Sequence, residues 1–105
     1  MAPLKREECE GTVLTELKKL ESYQGEDYTG VSWDAVCEDG SFQHIDYFKG
    51  KNCSMITVGK STDAAQARRN TMHRINGFDV HTSAPTITTE KMLEVTGFIY
   101  KGEIL

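Results

Sequence analysis

The sequence predicts one α+β domain over residues 1–105, in which a mainly antiparallel sheet carries two helices packed on one face. A chain of 105 residues that is 38% apolar and 27% charged can build one hydrophobic core and is too short for two. Alternating residues in the middle of the chain predict strands, and apolar residues at helical spacing on either side predict helices. The predicted order is αβββα, followed by one or two C-terminal strands.

The first element is predicted to be an amphipathic helix over residues 3–22. Pro3 suits the first turn of a helix, whereas Gly11 weakens the N-terminal half by about 1 kcal/mol relative to alanine. Charged residues fall mainly on the side opposite the apolar ones. The apolar residues that recur at helical spacing are Cys9, Val13, Leu14, Leu17 and Leu20.

Three strands are predicted next. Residues 31–37 alternate between apolar and polar, Asp39 and Gly40 give a strong hairpin signal, and residues 42–48 alternate again. A further turn leads to a third strand over residues 53–58, which are rich in β-branched side chains. Alternation places four side chains of the second strand on one face: Phe42, His44, Asp46 and Phe48.

A second helix is predicted to follow the third strand. Ser61 or Thr62 suits its N-cap, and Asn76 and Gly77 suit its exit. At 100° per residue, Arg68 falls within the apolar face of this helix. Because an unpaired buried charge costs several kcal/mol, we expect Arg68 to form a buried ion pair, to extend its guanidinium to an edge, or to contact a partner.

The C-terminal part is predicted less sharply. Residues 78–83 suit a strand, and residues 86–93 suit either an extended segment or a short helix that begins at Thr88 or Thr89. Residues 95–100 have the composition of a final strand. This last strand offers an apolar edge, through which we expect two copies of the chain to form a homodimer.

Charge is unevenly distributed along the chain. Residues 49–77 hold six basic and one acidic side chain, the rest holds six basic and fifteen acidic ones, and the net charge is −4. Such a bias concerns partners and fields rather than fold. The basic segment predicts a nucleic-acid- or anion-binding surface on the second helix as an alternative function. Its candidate residues are Lys60, Ser61, Arg69, His73 and Arg74, with Lys49 and Lys51 nearby.

Residues 58–62 match the second half of a phosphate-binding P-loop. Ser54 stands where the first glycine of that motif belongs, which favours an ordinary capped helix over nucleotide hydrolysis. A glycine turn before a helix still presents free N–H groups and the positive end of the helix dipole to an anion. Lys60 and Ser61 would then lie at this helix N-terminus.

The order αβββα resembles that of a double-stranded-RNA-binding domain over about residues 9–76. Leu14 and Leu17 in the first helix, and Gly59-Lys60-Ser61 before an alanine-containing basic helix, carry the resemblance. In that family two lysines follow the serine and contact phosphates, whereas Thr62 and Asp63 stand here. The resemblance therefore implies a topology more than an RNA-binding activity.

The inventory of reactive side chains does not predict an enzyme. A small cysteine-dependent enzyme built on Cys37 and His44 is a further alternative, but Cys37 alternates with Trp33 as a core residue. Metal-ligand spacings such as Cys-x-x-Cys or His-Glu-x-x-His do not occur in the sequence. We expect no metal and no cofactor.

The remaining class is a small non-enzymatic protein-binding module, either an adaptor, a subunit or an inhibitor. Another protein is therefore the expected partner. The longest apolar runs are far shorter than the roughly 20 residues of a membrane span, so a soluble protein without a membrane partner is expected. The N-terminus lacks the apolar core of a secretory signal, which predicts a cytoplasmic location.

Overall fold

The computed structural model describes residues 4–20, 22–73, 78–80 and 86–104. Within these ranges the chain forms three helices and seven strands. In chain order they are α1 (Arg6–Cys9), β1 (Val13–Lys19), β2 (Tyr23–Gln24), β3 (Thr29–Cys37), β4 (Phe42–Lys49), β5 (Ser54–Ser61), α2 (Ala64–His73), β6 (Phe78–Asp79), α3 (Thr89–Thr96) and β7 (Ile99–Tyr100).

The seven strands form one sheet in the order β6-β5-β4-β3-β1-β7, and β2 also pairs with β3. Every described pairing is antiparallel except that of β1 with β7, which is parallel. The prediction of an α+β fold with a mainly antiparallel sheet is therefore confirmed. Among the described helices, none is long and apolar enough to cross a membrane.

The hairpin of β3 and β4 forms the centre of the sheet, as the alternating sequence predicts. Its strands pair from Thr29 opposite Lys49 to Val36 opposite Phe42. Gly40 adopts φ 86° in the turn, a left-handed conformation that favours glycine. The turn residues Asp39 and Gly40 were therefore a correct signal for the hairpin.

The predicted helix over residues 3–22 is wrong for most of its length. α1 ends at Cys9, and Gly11 adopts φ 83°, which turns the chain out of the helix. Residues 13–19 form β1, which pairs with β3 on one side and with β7 on the other. The observed order of elements thus differs from αβββα, and the topology of a double-stranded-RNA-binding domain is not present.

A β-bulge explains why β1 has the apolar spacing of a helix. Leu14 and Glu16 pair with consecutive residues of β3, so Thr15 is an extra residue on β1. The extra residue brings Leu14 and Leu17 to the same face although they are three positions apart. A spacing of three is also the spacing of a helix face, so periodicity alone favoured the wrong element.

Successive residues of a strand point to opposite faces, and the two faces of this sheet differ. One face is covered by α3 and is called here the α3 face. On this face Trp33 Nε1 of β3 donates a hydrogen bond of 3.3 Å to Thr89 Oγ1 of α3. Met92 and Leu93 of α3 belong to the same core. The strand residues buried there include Val31, Trp33, Ala35, Cys37, Ile45, Tyr47, Ile56 and Val58.

The opposite face carries α2 and is called here the α2 face. Thr71 Oγ1 lies 3.3 Å from the backbone oxygen of His44, and a side chain at Gly59 would meet Ala67 O and Thr71. The absence of a side chain at Gly59 therefore lets α2 approach β5 closely. The structure differs from the prediction of two helices on one face, because α2 and α3 lie on opposite faces.

The C-terminal elements follow one of the two predicted alternatives. Thr88 caps α3, since its Oγ1 accepts a hydrogen bond of 3.1 Å from Lys91 N, and Gly97 ends the helix at φ 76°. The predicted strand over residues 95–100 is reduced to β7, because residues up to Thr96 are helical. Of the predicted strand over residues 78–83, β6 is present and residues 81–83 lie outside the described part.

Candidate functional site

Part of the α2 face is left open by the described elements. α2 packs against β5 and β4, and no described helix covers β1 and β3 on this face. From Val31 to Cys37, the side chains of β3 that point to the α3 face are buried, whereas those that point to the α2 face are partly exposed. We call this surface the open half, and define it by Glu16, Lys18, Ser32, Asp34 and Val36.

A groove of about 460 Å³ runs between the open half and the start of α2. Val36, Phe42 and Ala64 supply its apolar lining, and Glu16, Lys18 and Asp34 supply charged groups. Binding sites commonly combine an apolar surface with a few placed polar groups. The groove has this composition, with charges of both signs.

A charge network centred on His44 borders the groove. His44 Nδ1 lies 2.7 Å from Asp34 Oδ1, and His44 Nε2 lies 3.0 Å from Asp46 Oδ1. The imidazole side chain is 10% exposed and each carboxylate is 30% exposed. A carboxylate oxygen only accepts hydrogen bonds, so both ring nitrogens donate and His44 is an imidazolium in this arrangement.

Two further side chains complete the network. The guanidinium of Arg68 on α2 forms an ion pair with Asp34 on β3. Ser32 Oγ donates a hydrogen bond of 2.6 Å to Asp46 Oδ1. The charge network therefore comprises Ser32, Asp34, His44, Asp46 and Arg68, and it links α2 to the two central strands.

The pKa values of the network favour its charged form. Burial opposes ionisation of Asp34, Asp46 and His44, but hydrogen bonds and opposite charges outweigh it. For Asp34 the largest of these come from Arg68 and then His44, and for Asp46 they come from His44 and Ser32. As a result the pKa of each aspartate lies below its ordinary value, and the pKa of His44 lies above. Perturbed titratable groups beside a groove are typical of functional sites.

A cluster of aromatic rings lies at the other end of the open half. The ring centroids of Tyr23 and Tyr28 are 5.8 Å apart in an edge-on arrangement, and those of Tyr28 and Phe48 are 5.8 Å apart and stacked. Tyr23 is 48% exposed and Tyr28 is 43% exposed. A side chain at Gly30 or at Gly25 would meet the ring of Tyr23 or Tyr28, respectively. The absence of a side chain at the two glycines therefore lets the rings approach the backbone closely.

This tyrosine cluster, defined by Tyr23, Tyr28 and Phe48, is continuous with the charge network. Tyr23 pairs with Gly30, which points to the α2 face. Burial, and secondly the carboxylate of Asp46, raise the pKa of Tyr23. The tyrosine cluster, the charge network and the groove thus succeed one another along one face.

Among the described residues, the predicted candidates Lys60, Ser61 and Arg69 do not form one patch. Lys60 and Ser61 belong to β5 and not to the start of a helix. Lys60 lies opposite Gln43, hence on the α3 face, and its Nζ is 3.3 Å from Asp39 Oδ2. Ser61 is buried.

α2 begins with a different cap from the predicted one. Asp63 Oδ2 accepts a hydrogen bond of 2.9 Å from Gln66 N, so Asp63 caps the helix and not Ser61 or Thr62. Arg69 Nη2 lies 3.9 Å from Asp63 Oδ2 and also hydrogen bonds to Gln66. Asp63 thus offsets part of the positive charge at this end of α2.

Of the remaining candidate residues on the second helix, Arg68 is described in full, whereas Arg74 and the side chain of His73 are not. Arg68 forms an ion pair with Asp34, but its side chain is 54% exposed and not buried. The side chain of His73, together with Arg74 and the predicted helix exit at residues 76–77, lies outside the described part. For His73 and Arg74, a role in binding stays a prediction.

Cys37 and His44, the pair on which the alternative of a cysteine-dependent enzyme is built, do not lie on the same face. Cys37 is buried on the α3 face and His44 lies on the α2 face, so the sheet separates them. Burial raises the pKa of the Cys37 thiol, and it raises that of Cys9 to about 12. Among the described residues, no group of three or more His, Cys, Asp or Glu side chains has the arrangement of a metal site.

The C-terminal strand occupies the expected position for an edge contact. β7 ends the described sheet order, and Ile99 is 51% exposed. The strand is only two residues long. A homodimer through β7 stays a prediction.

Comparisons with protein-family models, with curated proteins and with solved structures found no match.

Proposed function

We propose that this protein is a non-enzymatic protein-binding module, which contacts its partner through the open half and the adjoining tyrosine cluster. The observation that carries the proposal is the pair of exposed tyrosine rings held against glycines beside a half-covered sheet face. An adaptor, a subunit or an inhibitor would each use such a surface. The partner is a protein segment that buries the two rings and reaches the groove.

Tyrosine suits this role for two physical reasons. A tyrosine ring offers a large contact area with a polar end and loses little conformational entropy, because it rotates about only two side-chain bonds. Tyr23 and Tyr28 are already restrained by each other and by Gly30 and Gly25, which lowers the entropy lost on binding. Tyrosine and arginine are also enriched among the residues that contribute most to protein interfaces.

The charges of this face favour a protein over a nucleic acid as the partner. The open half and the charge network carry three acidic side chains beside three cationic ones, which are Glu16, Asp34 and Asp46 beside Lys18, His44 and Arg68. A surface that contacts phosphates needs an excess of positive charge. Such an excess is not found on the described part of this face.

The experiment compares proteins captured by the immobilised full chain and by two variants. The double variant Tyr23→Ser/Tyr28→Ser removes both rings, and the control Met72→Ser changes a side chain on α2 that is 76% exposed. A true partner binds the wild type and the Met72→Ser variant equally, and its Kd rises at least about tenfold for the double variant. Nuclease treatment leaves this binding unchanged.

Two outcomes would overturn the proposal. A partner that binds the double variant as tightly as the wild type uses another surface. Capture that disappears after nuclease treatment, and that weakens steeply with salt, would show that nucleic acid mediates the contact. The thermal unfolding of both variants is measured alongside, so that loss of binding is not confused with loss of fold.

A further inference from the structure

The contacts of His44 require two ring protons. A neutral imidazole has one N–H and one lone pair, so it donates to a single carboxylate. With Asp34 Oδ1 at 2.7 Å and Asp46 Oδ1 at 3.0 Å, a neutral His44 would direct a lone pair at an anionic oxygen. The observed geometry is therefore specific to the protonated ring.

The groups that face His44 come from every described element packed around it. Asp34 approaches from β3 and Asp46 lies on β4, while Gly59 on β5 opposite His44 has no side chain to titrate. Arg68 reaches Asp34 from α2. Lys18 of β1 lies opposite Asp34 in the sheet, and Tyr23 of β2 interacts with Asp46.

We propose that His44 is a proton-operated switch at the open half, which holds the carboxylates of Asp34 and Asp46 in the binding arrangement only while its ring is protonated. Its control of partner binding rests on the function proposed above, whereas its control of stability does not. When the ring proton leaves to solvent, one of the two aspartates loses its hydrogen bond. The face then becomes more negative by one unit of charge.

The geometry also indicates which hydrogen bond is lost. Asp34 keeps a cationic partner in Arg68, whereas Asp46 would keep Ser32 as its other described side-chain donor. Because Arg68 is a charged donor and Ser32 a neutral one, retention of the proton on Nε2 gives the second donor to Asp46, the carboxylate with the weaker remaining partner. Neutral His44 is expected as the Nε2–H tautomer, with the contact to Asp34 opened at the wall of the groove.

The first experiment measures the titration of His44 by ¹⁵N NMR of the full chain without any partner. At pH 6.5, the ordinary pKa of histidine, we expect both ring nitrogens to be protonated, and we expect the titration midpoint of His44 to lie above that pH. We also expect the Nε2–H tautomer at alkaline pH. In the variant Asp46→Asn the midpoint shifts downward, because a neutral amide stabilises the imidazolium less than a carboxylate does. A wild-type midpoint at or below 6.5, or one that Asp46→Asn leaves in place, would overturn the proposal.

The second experiment measures unfolding by denaturant from about pH 5 to about pH 9 for the wild type and His44→Gln. The glutamine amide keeps a donor and does not titrate. Between pH 6.5 and the folded-state pKa, the unfolding equilibrium constant of the wild type rises relative to that of the variant by up to about tenfold per pH unit. Equal pH dependence of the two proteins would contradict the switch.

A third measurement connects the switch to binding. The Kd of a captured partner is expected to rise for the wild type as pH increases through the His44 pKa, and to stay flat for His44→Gln. A pH-dependent stability without any partner at the tyrosine cluster would refute the proposed function and leave the switch. A partner bound through the tyrosines with the same pH dependence for both proteins would refute the control of binding alone.

Discussion

The two faces of the sheet contain the same strands but have different physical characters. On the α3 face, Trp33 and Ile45 are fully buried in an apolar core. On the α2 face, Asp34 and His44, their immediate neighbours along the strands, belong to a network of charges. Because side chains alternate, one hairpin supplies both surfaces. The comparison teaches that burial on one face can hold the fold while the other face stays partly open.

The two faces also differ in how much of each is covered by a helix. α3 and the apolar residues around it close the core on one side, whereas α2 packs on β5 and β4 and leaves the open half beside it. Hydrophobic burial is non-directional and supplies most of the folding free energy. The charge network is directional, depends on pH and positions particular side chains. We therefore assign stability mainly to the α3 face, and the binding proposed above would use the open half.

The largest effect is expected from truncation on the α3 face. The substitution Trp33→Ala removes a side chain that is 0% exposed and deprives Thr89 of its hydrogen-bond donor. It should lower the free energy of unfolding by about 3–5 kcal/mol. The substitution Val36→Ala on the open half truncates a smaller side chain that is only partly buried, and it should cost only about 1 kcal/mol. Denaturant unfolding of both variants measures the difference, and equal losses would remove the contrast between the faces.

The central hairpin shows how far the sequence predicts this fold. Alternation over residues 31–37 and 42–48, with Asp39 and Gly40 between them, identifies β3 and β4 because each strand buries one face. β1 escapes the same reasoning, since the bulge at Thr15 gives it helical spacing. The side of the sheet on which each helix packs depends on tertiary contacts such as that of Gly59 with α2, which periodicity does not contain.

The candidate site was predictable only in fragments. Alternation places His44 and Asp46 on one face. The hairpin register, in which Asp34 lies opposite His44, adds the second carboxylate that contacts the imidazole. The register itself is set by the turn, and the sequence pattern left it open. Tyr28 lies in a segment with turn composition, Gln24 to Gly30, and Tyr23 directly precedes it. The packing of their rings on glycines has no periodic signal.

An intermediate effect is expected where α2 meets the sheet. The substitution Gly59→Ala places a methyl group against Ala67 O and the backbone of Thr71, so the helix must shift outward. Such overpacking should lower the free energy of unfolding by about 1–3 kcal/mol. Gly50→Ala is the control, because there the nearest atoms belong to the side chains of Phe48 and Cys53. A neutral Gly59→Ala would mean that α2 is not held closely to β5.

A pH-dependent effect is expected from Asp46→Asn. Since the pKa of Asp46 is held below its ordinary value of 3.8, its stabilising contribution is present above that pH and is lost as pH falls through the folded-state pKa. At about pH 6 the variant should be less stable than the wild type by about 1–3 kcal/mol. The difference should shrink on acidification. A stability difference that is independent of pH would indicate a packing effect and not an electrostatic one.

A smaller effect on stability than for Trp33→Ala, Gly59→Ala or Asp46→Asn is expected in the tyrosine cluster. Tyr28→Ser removes a ring that is 43% exposed, together with its stacking on Phe48. The expected loss is about 0.5–1.5 kcal/mol. A loss as large as that for Trp33→Ala would make the cluster part of the core and weaken its assignment to binding. Thermal or denaturant unfolding decides between these cases.

The division of roles between the two faces is tested most directly by mapping where a captured partner binds. NMR spectra of the isotope-labelled chain with and without the partner are expected to change at Tyr23, Tyr28 and the open half, while core resonances such as the Trp33 indole stay in place. Changes centred on β7, or on Lys60 and Arg69, with the open half unaffected, would contradict the account.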